Sequence, residues 1–190
     1  MTTCCEYWRD VWDRKGKSIT DNLQYLDGFE QSPLNPKEIS DWIIKQLNIQ
    51  PEDRVLEVGS GAGMLSQYIA KKCNYIGMDY TKSLVDKHIK ILGNSVFVAE
   101  ANDIPFKDKY FDKSFSYSVF HYFPDKQYTK DAIQEMIRVT KDSIFIGDIP
   151  RESSVKNHLV YIFDDFPLGS VYDMKFCNQD RFNVLIKVHS

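Results

Sequence analysis

Short β-rich runs alternate with helical stretches between residues 54 and 149, and this alternation predicts an α/β fold. The expected sheet has seven strands, mostly parallel, with helices on both faces. Three observations carry the prediction. The alternation implies βαβ units, whose crossovers place helices on the two faces. A β-rich run enters a cluster of glycines at Gly59, Gly61 and Gly63. Two further β-rich runs, Val171–Cys177 and Phe182–Val188, flank Asn178-Gln179-Asp180-Arg181 and predict a C-terminal antiparallel hairpin closing the sheet.

Residues 1–35 are polar and aromatic, with Tyr7, Trp8, Trp12, Tyr25 and Phe29. They predict a short helix and a loop laid on the domain as an N-terminal cap segment. Trp8 and Trp12 share a helix face, which suits packing on the domain or a lid over a ligand. At Asn35-Pro36-Lys37-Glu38, Asn35 suits a helix cap, Pro36 the first helical position and Glu38 the acid of a capping box. Ile39, Trp42, Ile43 and Leu47 then recur at helical spacing. The succeeding elements are a strand at Arg54–Val58, a helix at Met64–Lys72, a strand at Tyr75–Met78, a helix around Ser83–Ile91 and a strand at Val96–Ala99. A strand at Lys113–Val119, a helix at Tyr128–Val139 and a strand at Ser143–Ile149 complete the alternation.

The chain of 190 residues fits one domain, 1–190, able to bury a sizeable core. Hydrophobic residues at 43% and charged residues at 27% are those of a soluble globular protein. A formal net charge of −3 argues against a partner held by phosphate neutralisation, so no nucleic acid is expected. No apolar run is long enough for a membrane span, and no signal peptide is visible. Cys4, Cys5, Cys73 and Cys177 form no CxxC pair, and His88, His121, His158 and His189 complete no zinc spacing. Reduced thiols, a cytoplasmic location and no metal follow as expectations.

The chemistry concentrates in Val55-Leu56-Glu57-Val58-Gly59-Ser60-Gly61-Ala62-Gly63. A strand that ends in a glycine turn lets a ligand approach the backbone closely, because glycine has no Cβ and tolerates positive φ. The nicotinamide fingerprint G-x-G-x-x-G fails here, since Met64 follows Gly63. Glu57 would repel a pyrophosphate but suits a cationic amino acid moiety. Asp79, roughly 20 residues beyond the first glycine, suits a ribose diol.

E-x-G-x-G-x-G at 57–63 resembles the first motif of the class I, Rossmann-like S-adenosylmethionine-dependent methyltransferases of small-molecule type. Gly77-Met78-Asp79-Tyr80 resembles the second motif of that family, Ala99–Phe106 its segment after the third strand, and Tyr110–Tyr122 its fourth-strand motif. The resemblance covers residues 38–150 well and the rest loosely. It implies S-adenosylmethionine as cofactor and Glu57, Gly59, Ser60, Gly61, Asp79, Tyr80, Glu100, Ala101 and Tyr117 as its binding residues. Asp103 competes with Glu100 for the adenine amine. His121, after the fourth strand, is a candidate general base or a structural histidine. His88 and His189 read as surface residues. Tyr122, Phe123, Tyr161, Phe163 and Phe166 suit a substrate pocket or the core equally.

The implied activity is methyl transfer to a small-molecule acceptor by in-line displacement, which proximity and alignment can accelerate without a protein nucleophile. A non-catalytic adaptor with the same fold and an NAD-dependent oxidoreductase are the competing readings. The segment 150–170 is short for the family, so a lid would have to come from 1–35 and 150–170, which leaves the pocket either open or completed by a partner chain, such as a second copy in a homodimer.

Overall fold

A computed structural model describes residues 4–152, 157–167, 170–177 and 180–188, with side chains from residue 6 onward. The chain begins with two helices, α1 (Cys4–Lys17) and α2 (Leu23–Leu26), followed by α3 (Pro36–Leu47). Strand β1 (Arg54–Val58), the single turn α4 (Ser66–Ile69), β2 (Asn74–Asp79), α5 (Lys82–Leu92) and β3 (Val96–Val98) form the first half. The second half holds β4 (Phe111–Tyr117), α6 (Lys126–Val139), β5 (Thr140–Pro150), β6 (Val171–Asp173) and β7 (Arg181–Lys187).

The seven strands form one sheet in the order β3-β2-β1-β4-β5-β7-β6. Strands β1 to β5 pair in parallel, and β7 runs antiparallel to both β5 and β6. The Rossmann-like fold is therefore present, including the hairpin. The strand order reverses direction between β1 and β4, and this switch point opens a crevice beyond the carboxyl ends of the strands.

Side-chain alternation divides the core into two faces. Leu56 and Val58 of β1, with Ile144 and Ile146 of β5, pack beneath Ile133 and Met136 of α6. Val55, Phe115 and Phe145 face the other way, against Ile39, Trp42, Ile43 and Leu47 of α3. Glu57 shares the parity of Val55, so its carboxylate is carried onto the α3 face. Helix α3 starts as its sequence predicts: Asn35 Oδ1 accepts from Lys37 N at 2.9 Å, with Pro36 in the first turn. Glu38 is exposed there. The helix ends at Asn48 in the left-handed conformation, φ 49°.

Several bounds differ from expectation. The helix expected over 64–72 is the four-residue turn α4, because bonds from another segment hold the preceding loop out of helical geometry. Strand β4 stops at Tyr117 because Ser118 adopts φ 58°. Strand β6 keeps three residues, since Met174–Cys177 turns back and Phe176 lies against Trp42 with ring centroids 5.7 Å apart. The N-terminal segment is more helical than a short helix and loop. Trp8 and Trp12 of α1 are buried with Leu26, Ala62 and Leu84, on the exposed edge of the glycine loop.

Candidate cofactor site

A two-lobed cavity opens at the switch point. The first lobe, about 80 Å³, is lined by the glycine loop, by Asp27, Glu57 and Asp79, and by aromatic side chains including Trp12 and Tyr117. The second, about 30 Å³, is lined by Arg9, Glu100, Ala101 and Tyr128 among others. Gly59, Asp79, Tyr80, Val119, Tyr122 and Phe123 line both, so the lobes are continuous.

The glycine loop owes its shape to backbone conformations closed to most residues. Gly59 has φ 77° and Gly61 φ 51°, and a Cβ on either would collide with Val119 or with the Asp27 carboxylate. Gly59 N and Ser60 N both donate to Met78 O, at 2.8 and 2.9 Å, which ties the loop to the end of β2. Asp79 completes this tie. Its Oδ2 accepts from Gly61 N at 3.0 Å and its Oδ1 from Thr81 N at 2.8 Å. Burial raises the Asp79 carboxyl above the usual range, against the pull of these backbone bonds.

Glu57 is 4% exposed and accepts a hydrogen bond from the Tyr75 hydroxyl at 2.5 Å. Gly77 makes that contact feasible, because a Cβ there would lie 2.6 Å from the Tyr75 hydroxyl oxygen and 2.9 Å from Ser60 Oγ. Burial pushes the Glu57 carboxyl well up; the Tyr75 bond opposes this, and Asp27 and Asp79 reinforce it. Ser60 Oγ is buried in the cavity wall with no hydrogen-bond partner. A buried hydroxyl in that condition costs about 1–3 kcal/mol unless a ligand satisfies it.

Glu100 lies in the second lobe, where Arg9 Nη2 donates to its Oε1 at 2.5 Å and the Tyr128 hydroxyl to its Oε2 at 2.9 Å. Asp103, the competing acid, is exposed and lines neither lobe. Ala101 N donates to Tyr128 Oη at 3.1 Å. The Arg9 guanidinium stacks on the Tyr80 ring, 4.6 Å from its centroid. Tyr117 lines the first lobe while its hydroxyl donates to Phe176 O at 2.6 Å.

The nine expected cofactor residues thus come together, but His121 does not join them. It is 1% exposed and lines neither lobe. Its ring packs on Tyr122 and His158, with centroids 4.0 and 4.5 Å away. Burial, with Arg181 and His158 adding repulsion, holds it far below the usual imidazole range, so it is neutral. His88 is corrected from surface to core: it is fully buried, with Nδ1 3.1 Å from Gly61 O and Nε2 2.9 Å from Ser66 Oγ. Its pKa is pushed down to about 4, chiefly by burial. His189 lies outside the described residues. Tyr122 and Phe123 line the cavity, Tyr161 and Phe166 are buried in the core, and Phe163 is 43% exposed.

Two features escaped the sequence. Asp27 reaches across from the N-terminal segment, its Oδ1 accepting from Ala62 N at 2.6 Å and its Oδ2 from Met64 N at 2.8 Å. The only signal was Asp27-Gly28, a turn pair. The second is a polar knot at the ends of β4 and β5. Ser118 and Asp148 both have φ 58°, and Ser118 Oγ donates to Asp148 Oδ2 at 2.9 Å. Arg181 Nη1 donates to the same oxygen at 2.7 Å, and Asp148 N donates to Asn183 Oδ1 at 3.0 Å. Non-glycine residues in this backbone region cost about 1–3 kcal/mol each and persist where the surroundings fix them, as here beside the cavity.

Among the described residues no cluster of His, Cys, Asp and Glu is arranged to hold a metal ion. None of their helices is long and apolar enough to cross a membrane.

Comparison with known proteins agrees with this geometry. A family described as a methyltransferase domain matches residues 56–145, and one described as ribosomal RNA adenine dimethylase matches residues 24–85. A probable cobalt-precorrin-6B C(15)-methyltransferase (decarboxylating) of Methanococcus vannielii is 28% identical over 138 residues, covering 69% of this chain and 71% of its own. A tRNA (carboxymethyluridine(34)-5-O)-methyltransferase of Arabidopsis thaliana is 31% identical over 94 residues, covering 48% of this chain and 22% of its own. The chain spans between 2% and 22% of the length of the curated relatives it matches first. Magnesium protoporphyrin IX methyltransferase from Synechocystis PCC 6803, solved with bound S-adenosylmethionine, shares the fold at TM-score 0.63 and 16% identity, covering 95% of this chain and 90% of that one. The fold, the glycine loop and the match over residues 56–145 together make the chain similar to the class I, Rossmann-like S-adenosylmethionine-dependent methyltransferases.

Proposed function

We propose that this chain is an S-adenosylmethionine-dependent methyltransferase that acts on a small molecule, and that the two-lobed cavity holds the cofactor. One observation carries the reading. Three carboxylates and no Lys, Arg or His line the first lobe among the described residues, around a loop that exposes backbone. Such a lobe repels a pyrophosphate and favours a cation. S-adenosylmethionine supplies an activated sulfonium methyl group and bears a cationic amine and a ribose diol.

The chain's own residues divide the work. Asp79 spends one acceptor site on Gly61 N and one on Thr81 N, and a carboxylate offers about four, so acceptors remain for two ribose hydroxyls. Glu57 has given one site to Tyr75 and keeps the rest for an ammonium group. Gly59, Ser60 and Gly61 admit the ligand to the backbone, and Ser60 Oγ gains a partner. Tyr80, Glu100 and Ala101 flank the adenine lobe, with Arg9 and Tyr128 holding Glu100 in place. Tyr117 walls the amino acid end. Helix α1 covers the first lobe with Trp12, which combines the packing and lid roles. This cover, the aromatic wall and the net charge of −3 favour a compact acceptor over a polynucleotide. No protein nucleophile is needed, and alignment of the acceptor supplies the acceleration. The half-buried free thiols of Cys73 and Cys177 suit a reducing cytoplasm, and residues 1–190 form one domain in this reading.

The test is incubation with methyl-labelled S-adenosylmethionine and fractionated metabolite pools. The expected result is label in a small molecule with release of S-adenosylhomocysteine. Binding of cofactor with no transfer in any pool would favour an adaptor, and absence of binding would remove the cofactor reading.

A further inference from the structure

Asp27 belongs to neither β1 nor the motifs that follow it, and it lies outside residues 56–145 matched by the methyltransferase-domain family. It is half-buried, with its carboxylate turned inward onto the glycine loop. Both oxygens are engaged by loop N–H groups, at 2.6 Å from Ala62 and 2.8 Å from Met64. These donors stand at the turn that leads into α4 and would otherwise point into the wall of the cavity. The side chain therefore acts as a built-in anion that fixes the loop from outside the sheet.

The same carboxylate lines the first lobe beside Glu57 and Asp79. Independent of that acidic set, Ser60 Oγ is buried in the lobe without a partner, which points to a ligand there. We infer that Asp27 is a cofactor-positioning residue whose ionised carboxylate clamps the glycine loop and adds the negative charge that makes the lobe selective for a cationic ligand. The inference rests on the cofactor reading above and adds its dependence on proton concentration.

The groups that face Asp27 set the sign. From β1 comes Glu57 with the Tyr75 phenol of β2 on it, from the end of β2 come Asp79 and Tyr80, and from α5 comes neutral His88 behind Gly61. From α1, Trp12 covers Gly28 with no charge, while Lys15 bonds Tyr25 O at 2.7 Å and Glu30 at 3.1 Å. Among the described residues no Lys, Arg or His lines the lobe to balance the carboxylates. Burial pushes the Asp27 carboxyl up to about 7, assisted by Asp79 and opposed by the loop N–H bonds. A cation bound in the lobe stabilises the ionised form, so binding releases a proton near neutrality, and affinity falls as pH drops below 7.

Isothermal titration of the full chain with S-adenosylmethionine from pH 6 to pH 8 tests this, with Asp27→Asn alongside. The wild type is expected to bind about fivefold or more tightly at pH 8 than at pH 6, and the variant to lose most of that difference and to bind about tenfold more weakly at pH 8. Titration of the ligand's own amine is common to both proteins and cancels in the comparison. Thermal melting checks that the variant folds. Should it not fold, the wild type alone decides: titrations at pH 7 in phosphate and in Tris should show net proton release. Parallel pH profiles in wild type and a folded variant, or no proton release, would overturn the inference while leaving the cofactor site intact. Absence of wild-type binding at every pH would instead remove the cofactor reading and this inference with it.

Discussion

Asp79 holds the glycine loop through Gly61 N and faces the cavity with its remaining lone pairs. Its removal should therefore cost both a loop contact and a ligand contact. Hydrogen bonds to a charged group contribute about 1.5–3 kcal/mol, so Asp79→Ala should weaken S-adenosylmethionine binding by about 10- to 100-fold in calorimetry. Unchanged affinity would show that the ribose assignment is wrong. His121 gives the opposite forecast. Its ring is buried, lines neither lobe and is held well below the usual imidazole range by burial, so the expectation is a structural role. His121→Asn should lower the melting temperature and leave the pH dependence of kcat where it was; loss of the basic limb of that profile would restore the general-base reading. Glu57 and Asp79 both line the cavity, where strand parity and glycine spacing put them. The sequence misassigned His88 because isolated histidines carry no signal of burial. Only the fold shows that Gly61 O and Ser66 Oγ enclose that ring.

The elements around the site differ in how far local sequence determines them. Strands β1, β2 and β5 each carry a short apolar stretch between helices and were legible as strands. Helix α4 was overestimated because its length is decided by Asp27, in a segment remote along the chain. Strand β6 was overestimated because Phe176 finds a partner in Trp42, which no local pattern encodes. Helix α1 was legible as a helix face but not as the roof of a cavity. Trp12 is 9% exposed, its ring lies 5.0 Å from that of Tyr122, and it lines the first lobe. Trp12→Ala should cost about 3–5 kcal/mol of stability by urea denaturation, and it should loosen cofactor binding as well; a loss of stability with unaltered affinity would confine α1 to a structural role. At the other side of the cavity, Arg181 pairs with Asp148, which is 1% exposed. Arg181→Ala leaves that carboxylate uncompensated and should cost about 3–5 kcal/mol, also read by urea denaturation.

Across the molecule, two sets of buried groups act on stability in opposite directions. His88 titrates near pH 4 when folded and near 6.5 when unfolded. The unfolded chain then binds more protons between those values, so this contribution is present above pH 6.5 and is lost as pH falls toward 4. It amounts to something on the order of 3 kcal/mol. Asp27, Glu57 and Asp79 have raised carboxyl pKa values, so each favours the folded state at low pH and disfavours it as pH rises toward 7. His88→Gln should make stability rise less with pH between 4.5 and 6.5 than in the wild type, as followed by urea titration across that range; identical slopes would contradict the assignment. Crowding three carboxylates at one lobe weakens the ligand-free protein at neutral pH and strengthens it when a cation binds. The experiment on which the whole reading turns is calorimetric titration of the full chain with S-adenosylmethionine, with NADH as the control. The expected result is one saturable site for S-adenosylmethionine, weakened about 10- to 100-fold in Asp79→Ala, and no heat with NADH. Saturable binding of NADH with none of S-adenosylmethionine would contradict it.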